Sequence, residues 1–309
     1  MLDWILIVTI ATGNLALTES AYREDLGYET VTRGKIDATL AESWGAPRVT
    51  DSPYLLMRPA SGMPVYLRFI ESKSARHNVP HATEGWNAAE MLVQDVDELA
   101  KRLVTSKYFQ IVGPPAYISP DQTIKAMQVV GPSNEMLYLT RVVRPESVDF
   151  DIGTAQSFVD RVFIVIAGGR DHRGLMDFYR SRLMLPVTEP VPYRIAVLSR
   201  AYGLPEDQLH ELSLATMRNQ FFLELDEYPA EAEPRYVPPG ELPAGIVMVT
   251  FEVESLDNVT VPFISPPVMH DLMPYNSRRA ATLRGAIGEL IELVESPSRR
   301  SVADPHKPD

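Results

Sequence analysis

The feature that most constrains this chain is an internal repeat. The stretch GWNAAEMLVQDVDELAKRL (85–103) returns at 245–259 as GIVMVTFEVESLDNV without a gap, at an offset of 160 residues. Both copies open on a glycine (Gly85, Gly245) and run through apolar residues to Val93 and Val253. An aliphatic–aspartate pair then follows, Val96-Asp97 and Leu256-Asp257. Three further pairs keep nearly that spacing. GPSNEMLYLT (131–140) lies over GAIGELIELV (285–294), with Glu135 over Glu289; LDWILIV (2–8) lies over VDRVFIV (159–165), and AYREDLGY (21–28) over FYRSRLML (178–185). Like units bury their apolar faces against one another, so a repeat decides the architecture before local propensity does. The chain is two halves of roughly 150 residues.

Each half divides again. In residues 2–71 an apolar strand-like run precedes a helix, and strand-like runs follow around residues 29–33, 52–58 and 65–71. Leu17, Ala21, Tyr22 and Leu26 share that helix's apolar face, and Gly27 is its stop signal. In residues 86–142 a strand, a short helix over 95–106 and three strands repeat the order. Lys101 and Arg102 sit near the end of that helix, where its dipole favours them. The order β-α-β-β-β thus occurs about four times.

That unit, with its Tyr-Arg-x-x-Leu-Gly element at 22–27, resembles the vicinal oxygen chelate superfamily, which holds glyoxalase I, bleomycin-resistance proteins and extradiol dioxygenases. The resemblance covers nearly all of residues 1–295. It implies an α+β chain of four βαβββ modules, arranged as two glyoxalase-like domains whose curved mixed sheets form cups. The first domain is expected over 1–142 (modules 1–71 and 85–142) and the second over 158–295 (modules 158–228 and 245–295). Residues 143–157 connect them. The tail at 296–309 is too poor in apolar groups to offset ordering entropy and is expected to be disordered.

Composition narrows the function. A length of 309 residues suffices for two ordinary cores. Net charge is −12, from 29 basic against 41 acidic residues, which argues against nucleic acid and anionic membranes as partners. No cysteine is present, which excludes a disulfide framework, a thiolate metal site and a cysteine nucleophile. The opening MLDWILIVTIA carries Asp3, has no basic region and is too short to span a bilayer. It reads as a buried first strand of a cytoplasmic protein.

The resemblance implies where chemistry sits. Metal-binding members place His, Gln or Glu on the first and last strands of paired modules, facing the cup. Aligning VYLRFIE, MLYLT, FFLELDE and LIELVE puts Arg68, Tyr138, Glu224 and Glu292 at the last-strand positions. The first-strand positions fall at Ile5 or Ile7, Ala88, Val162 or Ile164, and Met248, none of them histidine. A guanidinium repels a divalent cation, so the amino-terminal cup is expected to be metal-free and no cofactor is expected. Glu224 and Glu292 are the fallback pair for Mg²⁺ or Ca²⁺ with water ligands, since two carboxylates without imidazole make a weak transition-metal site.

Strand alternation puts Ala88, Glu90 and Leu92 on one face. Arg68, Glu90 and Tyr138 are therefore expected to converge on a small organic acid. Arg68 would hold a carboxylate or enolate oxygen, Glu90 would move a proton at carbon, and Tyr138 would donate to the developing oxyanion. Tyr54, Tyr66, Trp86, Asn87 and Gln128 are expected at the cup wall. The bland alternative is that Arg68 and Glu90 neutralise one another as a buried pair. His77, His81, His172, His210, His270 and His306 show no metal-ligand spacing and are expected at the surface, and Gly168-Gly169 reads as a tight turn.

Two function classes stay open. One is a metal-independent isomerase or lyase that uses a carboxylate base on a small oxyanion-bearing metabolite. The other is a bleomycin-resistance-like protein that binds a ligand without reaction, with a metal-dependent dioxygenase or glyoxalase third. Modules of this superfamily pair within one chain or across a homodimer, and both arrangements fit the sequence.

Overall fold

The computed structural model describes residues 2–119, 121–147 and 150–297, so the expected tail lies outside the described residues from 298 onward. All four βαβββ modules are present. The first holds β1 (Leu2–Thr12), α1 (Leu15–Glu24), β2 (Glu29–Lys35), α2 (Ala38–Ser43), β3 (Pro53–Arg58) and β4 (Tyr66–Glu71). The second holds β5 (Gly85–Val93), α3 (Val96–Leu103), β6 (Gln110–Tyr117), β7 (Ile124–Val130) and β8 (Met136–Val142). The third holds β9 (Val159–Gly169), α4 (His172–Ser181), β10 (Val191–Arg194), α5 (Ala196–Ala201), β11 (Leu209–Thr216) and β12 (Phe222–Glu227). The fourth holds β13 (Ile246–Val253), a single 3₁₀ turn at Leu256–Asn258 in place of a helix, β14 (Val268–His270), β15 (Arg278–Arg284) and β16 (Leu290–Glu295).

The helices start where polar caps precede apolar periodicity. Asn14 accepts from the Leu17 N–H, Asp95 from those of Asp97 and Glu98, and Asp171 from that of Gly174. Each cap satisfies backbone donors that the first helical turn leaves unpaired.

The strands form two eight-stranded mixed sheets. The first runs β14-β15-β16-β13-β1-β4-β3-β2 and the second β10-β11-β12-β9-β5-β8-β7-β6. Module one therefore pairs with module four through the antiparallel β1–β13 join, and module two with module three through β5–β9. This nesting departs from the sequential pairing expected for 1–142 and 158–295. The repeat specifies what each module is and not which first strands meet. Both sheets close within one chain.

The convex faces of the two sheets enclose the largest core, which takes Ile5, Val8, Met91, Val165, Val249 and Phe251 from the central strands and Tyr22, Leu99 and Tyr179 from the helices. Strands β1, β5, β9 and β13 are covered on both faces, so they read as mostly apolar runs, broken by a few polar residues such as Glu90, Asp160, Arg161 and Glu252. Two smaller clusters line the other faces, one per sheet.

Gly168-Gly169 ends strand β9 instead of making a turn. A side chain at Gly168 would meet the ring of Tyr228, its Cβ only 1.9 Å from Cε1, so the glycine admits that ring. Four histidines expected at the surface are buried: His81 (0% exposed), His172, His210 and His270. Neutral imidazole is small and amphipathic enough to sit inside once a ring nitrogen finds a partner. His172 Nε2 lies 3.0 Å from the Leu225 carbonyl oxygen, and His210 Nε2 lies 2.9 Å from Ser199 Oγ. His77 is exposed, and His306 lies outside the described residues.

Candidate functional site

Each module brings one first-strand and one last-strand residue side by side. These register pairs are Thr9–Arg68, Glu90–Tyr138, Ile166–Glu224 and Thr250–Glu292. The first-strand positions thus lie two residues beyond Ile7, Ala88, Ile164 and Met248, on the same face of each strand. Because the modules nest, Arg68 and Glu292 share the first cup, while Glu90, Tyr138 and Glu224 share the second. Two expectations fail here. Arg68 does not meet Glu90 or Tyr138, and Glu224 and Glu292 lie in different sheets, where they cannot hold one ion between them.

The first cup is filled by its own side chains. Arg68, 1% exposed, donates through Nη1 to Tyr275 Oη at 2.6 Å and through Nε to Thr9 Oγ1 at 3.0 Å, and its Nη2 lies 3.5 Å from Glu292 Oε2. Glu292 also accepts from Trp44 Nε1 (2.7 Å), Thr250 Oγ1 (2.6 Å) and Tyr275 Oη (2.9 Å). The guanidinium lies 4.5 Å from the centre of the Trp44 ring. Burial opposes the Arg68 charge, and Tyr275 with Glu292 outweighs it, so the group is held cationic. Tyr54 and Tyr66 belong to this cluster. Nearby, Thr282 Oγ1 and His270 Nε2 have no partner. Neither sequence reading of Arg68 holds as stated: it is a buried ion pair, but its partner is Glu292 and not Glu90.

The second cup is different in kind. Glu90 is 5% exposed; burial pushes its carboxyl up to about 7, with the Thr140 hydroxyl pulling the other way. Two residues beyond Glu224 on the same face of β12 lies Asp226, 0% exposed. Burial pushes Asp226 up to about 7 too, offset by Glu224, and raises Glu224 well above the ordinary carboxylate range, helped by Asp226 and Glu90. Glu224 keeps part of its surface open to solvent. Among the described residues no N–H or hydroxyl donor reaches either oxygen of Asp226, and the two neighbouring carboxyls, both raised by burial, resist ionising together.

Aromatic groups surround these acids. Tyr138, 9% exposed, is held protonated by burial and by Asp226, Glu224 and Glu90. Its hydroxyl lies 3.4 Å from His81 Nε2, and His81 Nδ1 lies 2.6 Å from Tyr228 Oη. Burial, with Arg235 nearby, drops His81 to about 3, so its ring is neutral and bridges two tyrosines. Tyr193 closes one side of the cup by donating to the Ile118 carbonyl at 2.6 Å.

The other expected wall residues sort by sheet face. Gln128 pairs with Tyr138 across β7 and β8 and fits because Gly113, opposite, has no side chain. Trp86 faces the convex core, where its Nε1 donates to the Leu290 carbonyl at 2.8 Å. Asn87 is occupied by backbone, donating to the Thr83 and Gly85 carbonyls while its Oδ1 accepts from Arg235. Neither lines a cup.

Asp226 was legible in FFLELDE, where two acids at i and i+2 of one buried strand must share a face. His81 was not, because its partners come from β8 and from the segment after β12. The donor sets of the two cups differ. In the first, Arg68 occupies a ligand seat and saturates Glu292; in the second, the four seats hold Glu90, Tyr138, Ile166 and Glu224, with no imidazole and one alkyl chain. Among the described residues no group of three or more His, Asp or Glu side chains has metal-binding geometry. Nor, among them, is any helix long and apolar enough to cross a membrane.

No protein-family model and no curated protein sequence matches the chain. Solved structures do. Glyoxalase I from Zea mays aligns over 94% of this chain and 92% of its own with a TM-score of 0.62 at 12% identity. A putative dioxygenase from Bacillus subtilis aligns over 96% of this chain and 86% of its own with a TM-score of 0.59, also at 12% identity. At that identity the likeness establishes the fold alone.

Proposed function

Starting from a chain that has the vicinal oxygen chelate fold, we propose that it is a metal-independent enzyme of the isomerase or lyase type. It binds a small organic molecule in the second cup and uses Glu90 to move a proton at carbon. The observation that carries this reading is the placement of Glu90 beside Tyr138 and opposite the Glu224–Asp226 pair, buried and balanced near neutrality. A base whose pKa lies near the working pH is both available and strong enough to transfer a proton.

Tyr138, held protonated, donates a hydrogen bond to the oxygen on which charge develops, and a neutral carboxyl of the Glu224–Asp226 pair donates a second. Buried acids kept neutral serve as oxyanion donors in this way. Glu90 takes the proton from carbon. It returns that proton to a different carbon in an isomerisation, or the carbanion expels a leaving group in an elimination. Arg68, shut into the other cup, takes no part, so an oxyanion is met here by neutral donors and not by a guanidinium.

The second reading is a binding protein without turnover. The first cup favours it, because there the same fold keeps a packed interior with no chemistry. Exchange of substrate C–H for solvent deuterium separates the two. A panel of small enolisable carbonyl compounds is incubated with the protein in D₂O and followed by proton NMR. We expect exchange in at least one compound, slowed about 10²–10⁴-fold by Glu90→Gln with binding retained. Binding without exchange in the wild type supports the second reading, and exchange indifferent to Glu90→Gln removes Glu90 from the mechanism.

A further inference from the structure

The two cups share a plan and differ in one respect. In the first, a buried carboxylate (Glu292) and two aromatic rings (Trp44 and Tyr275) surround an organic cation, the guanidinium of Arg68. In the second, carboxyls occupy the equivalent region at Glu90, Glu224 and Asp226, and tyrosine rings stand around them at Tyr138, Tyr193 and Tyr228. Tyr138 holds the last-strand seat that Arg68 holds in the first cup. Among the groups acting on the three acids there is no lysine or arginine. Asp226 is fully buried with neither oxygen reached by a protein donor. Arg235, which lies near His81 and Tyr228, is spent on backbone carbonyls, Thr83 and Asn87.

We propose that the second cup takes a ligand bearing an organic cation, an ammonium, amidinium or guanidinium group, which sits among the tyrosine rings and against the Glu224–Asp226 pair. The ligand's charge does there what Arg68 does in the first cup. A buried carboxylate is costly without a counter-charge, and an arriving cation supplies one to the ionised member of the pair while the proton stays on the other. Aromatic faces favour a weakly hydrated organic cation over a strongly hydrated metal ion. This names the ligand class for the site on which the proposed function rests, and it is read independently of turnover.

The test uses three probes of one shape on the full chain: benzamidine (cationic), benzamide (neutral) and benzoate (anionic), titrated calorimetrically. Benzamidine is expected to bind at least about tenfold more tightly than benzamide, with benzoate weakest. Glu224→Gln/Asp226→Asn should weaken benzamidine at least about tenfold and leave benzamide unchanged. The single variant Glu224→Gln, at the partly exposed member, should shift benzamidine the same way if the double variant misfolds. Benzamide or benzoate binding as tightly as benzamidine, while still responding to these variants, overturns the cationic class and keeps the cup as the ligand site. Benzamidine binding indifferent to both variants also overturns it. Absence of binding by all three at millimolar concentration overturns the cationic class, while the proposed function stands or falls on the deuterium-exchange assay.

Discussion

Arg68 carries its charge at 1% exposure because Thr9, Tyr275 and Glu292 accept from it and Trp44 lies beneath it. Removing one partner of such a pair strands the other. Arg68→Met is expected to lower stability by about 3–5 kcal/mol, measured by urea unfolding, because Glu292 keeps its burial and loses its counter-charge. The double variant Arg68→Met/Glu292→Met should recover part of that loss. A double variant no more stable than the single one would show that the carboxylate is compensated by Trp44, Thr250 and Tyr275 alone. At this scale the sequence was informative about neighbours on a strand and silent about partners across the chain. Alternation places Glu90 beside Tyr138 once the strands are aligned, and it groups Glu224 with Asp226. That Arg68 would face Glu292 depends on which modules pair, and no residue spacing within a module carries that information.

The elements were easier to read than their linkers. Apolar runs, glycine stops and acidic caps mark β1, α1, β5 and α3 closely, whereas α2 went unread. The proline-rich segment after β12, residues 228–244, works as a strap. From it Arg235 donates to the carbonyls of Trp86 (2.8 Å), Ile246 (3.0 Å) and Ala244 (3.3 Å), as well as to Thr83 Oγ1 and Asn87 Oδ1. It thereby ties the starts of β5 and β13, one in each sheet. A planar fork with five N–H groups reaches several acceptors together, and an ammonium does not. Arg235→Lys should cost about 1–3 kcal/mol in urea unfolding, since it leaves buried carbonyls without donors. An unchanged midpoint would mean that water or neighbouring backbone takes over the role.

For the whole molecule, the repeat told the number and order of modules, and the nested pairing had to be seen. Two of its matched pairs turn out to lock the sheets together. Tyr22 on α1 donates to Glu135 in the turn before β8 at 2.7 Å, and Tyr179 on α4 donates to Glu289 before β16 at 2.9 Å. Each bond joins a helix over one sheet to a turn of the other. Burial pushes both carboxyls up to about 7, as it does Glu90 and Asp226. Between roughly pH 4.5 and 7 the folded chain therefore keeps protons that the unfolded chain has released. Stability should fall as pH rises through that window and level off above it, by on the order of 1–3 kcal/mol per group. His81, dropped to about 3, and His172, His210 and His270, all lowered by burial, act the other way as pH rises toward 6.5, because there only the unfolded chain carries their protons. Glu19 and Asp95, held low by Arg33 and by the α3 backbone N–H of Glu98 respectively, act only below this window. Urea midpoints at pH 5 and 7.5 measure the balance, and Glu135→Gln/Glu289→Gln should flatten the difference. A midpoint that rises with pH would contradict it. The register that sets Leu2 against Val253 has a further consequence during synthesis. A nascent polypeptide can finish its inner cup while β1 still waits on the ribosome's late output. Until that output arrives, β1 presents an open edge, the kind of surface that holdase chaperones cover and that aggregates when they do not.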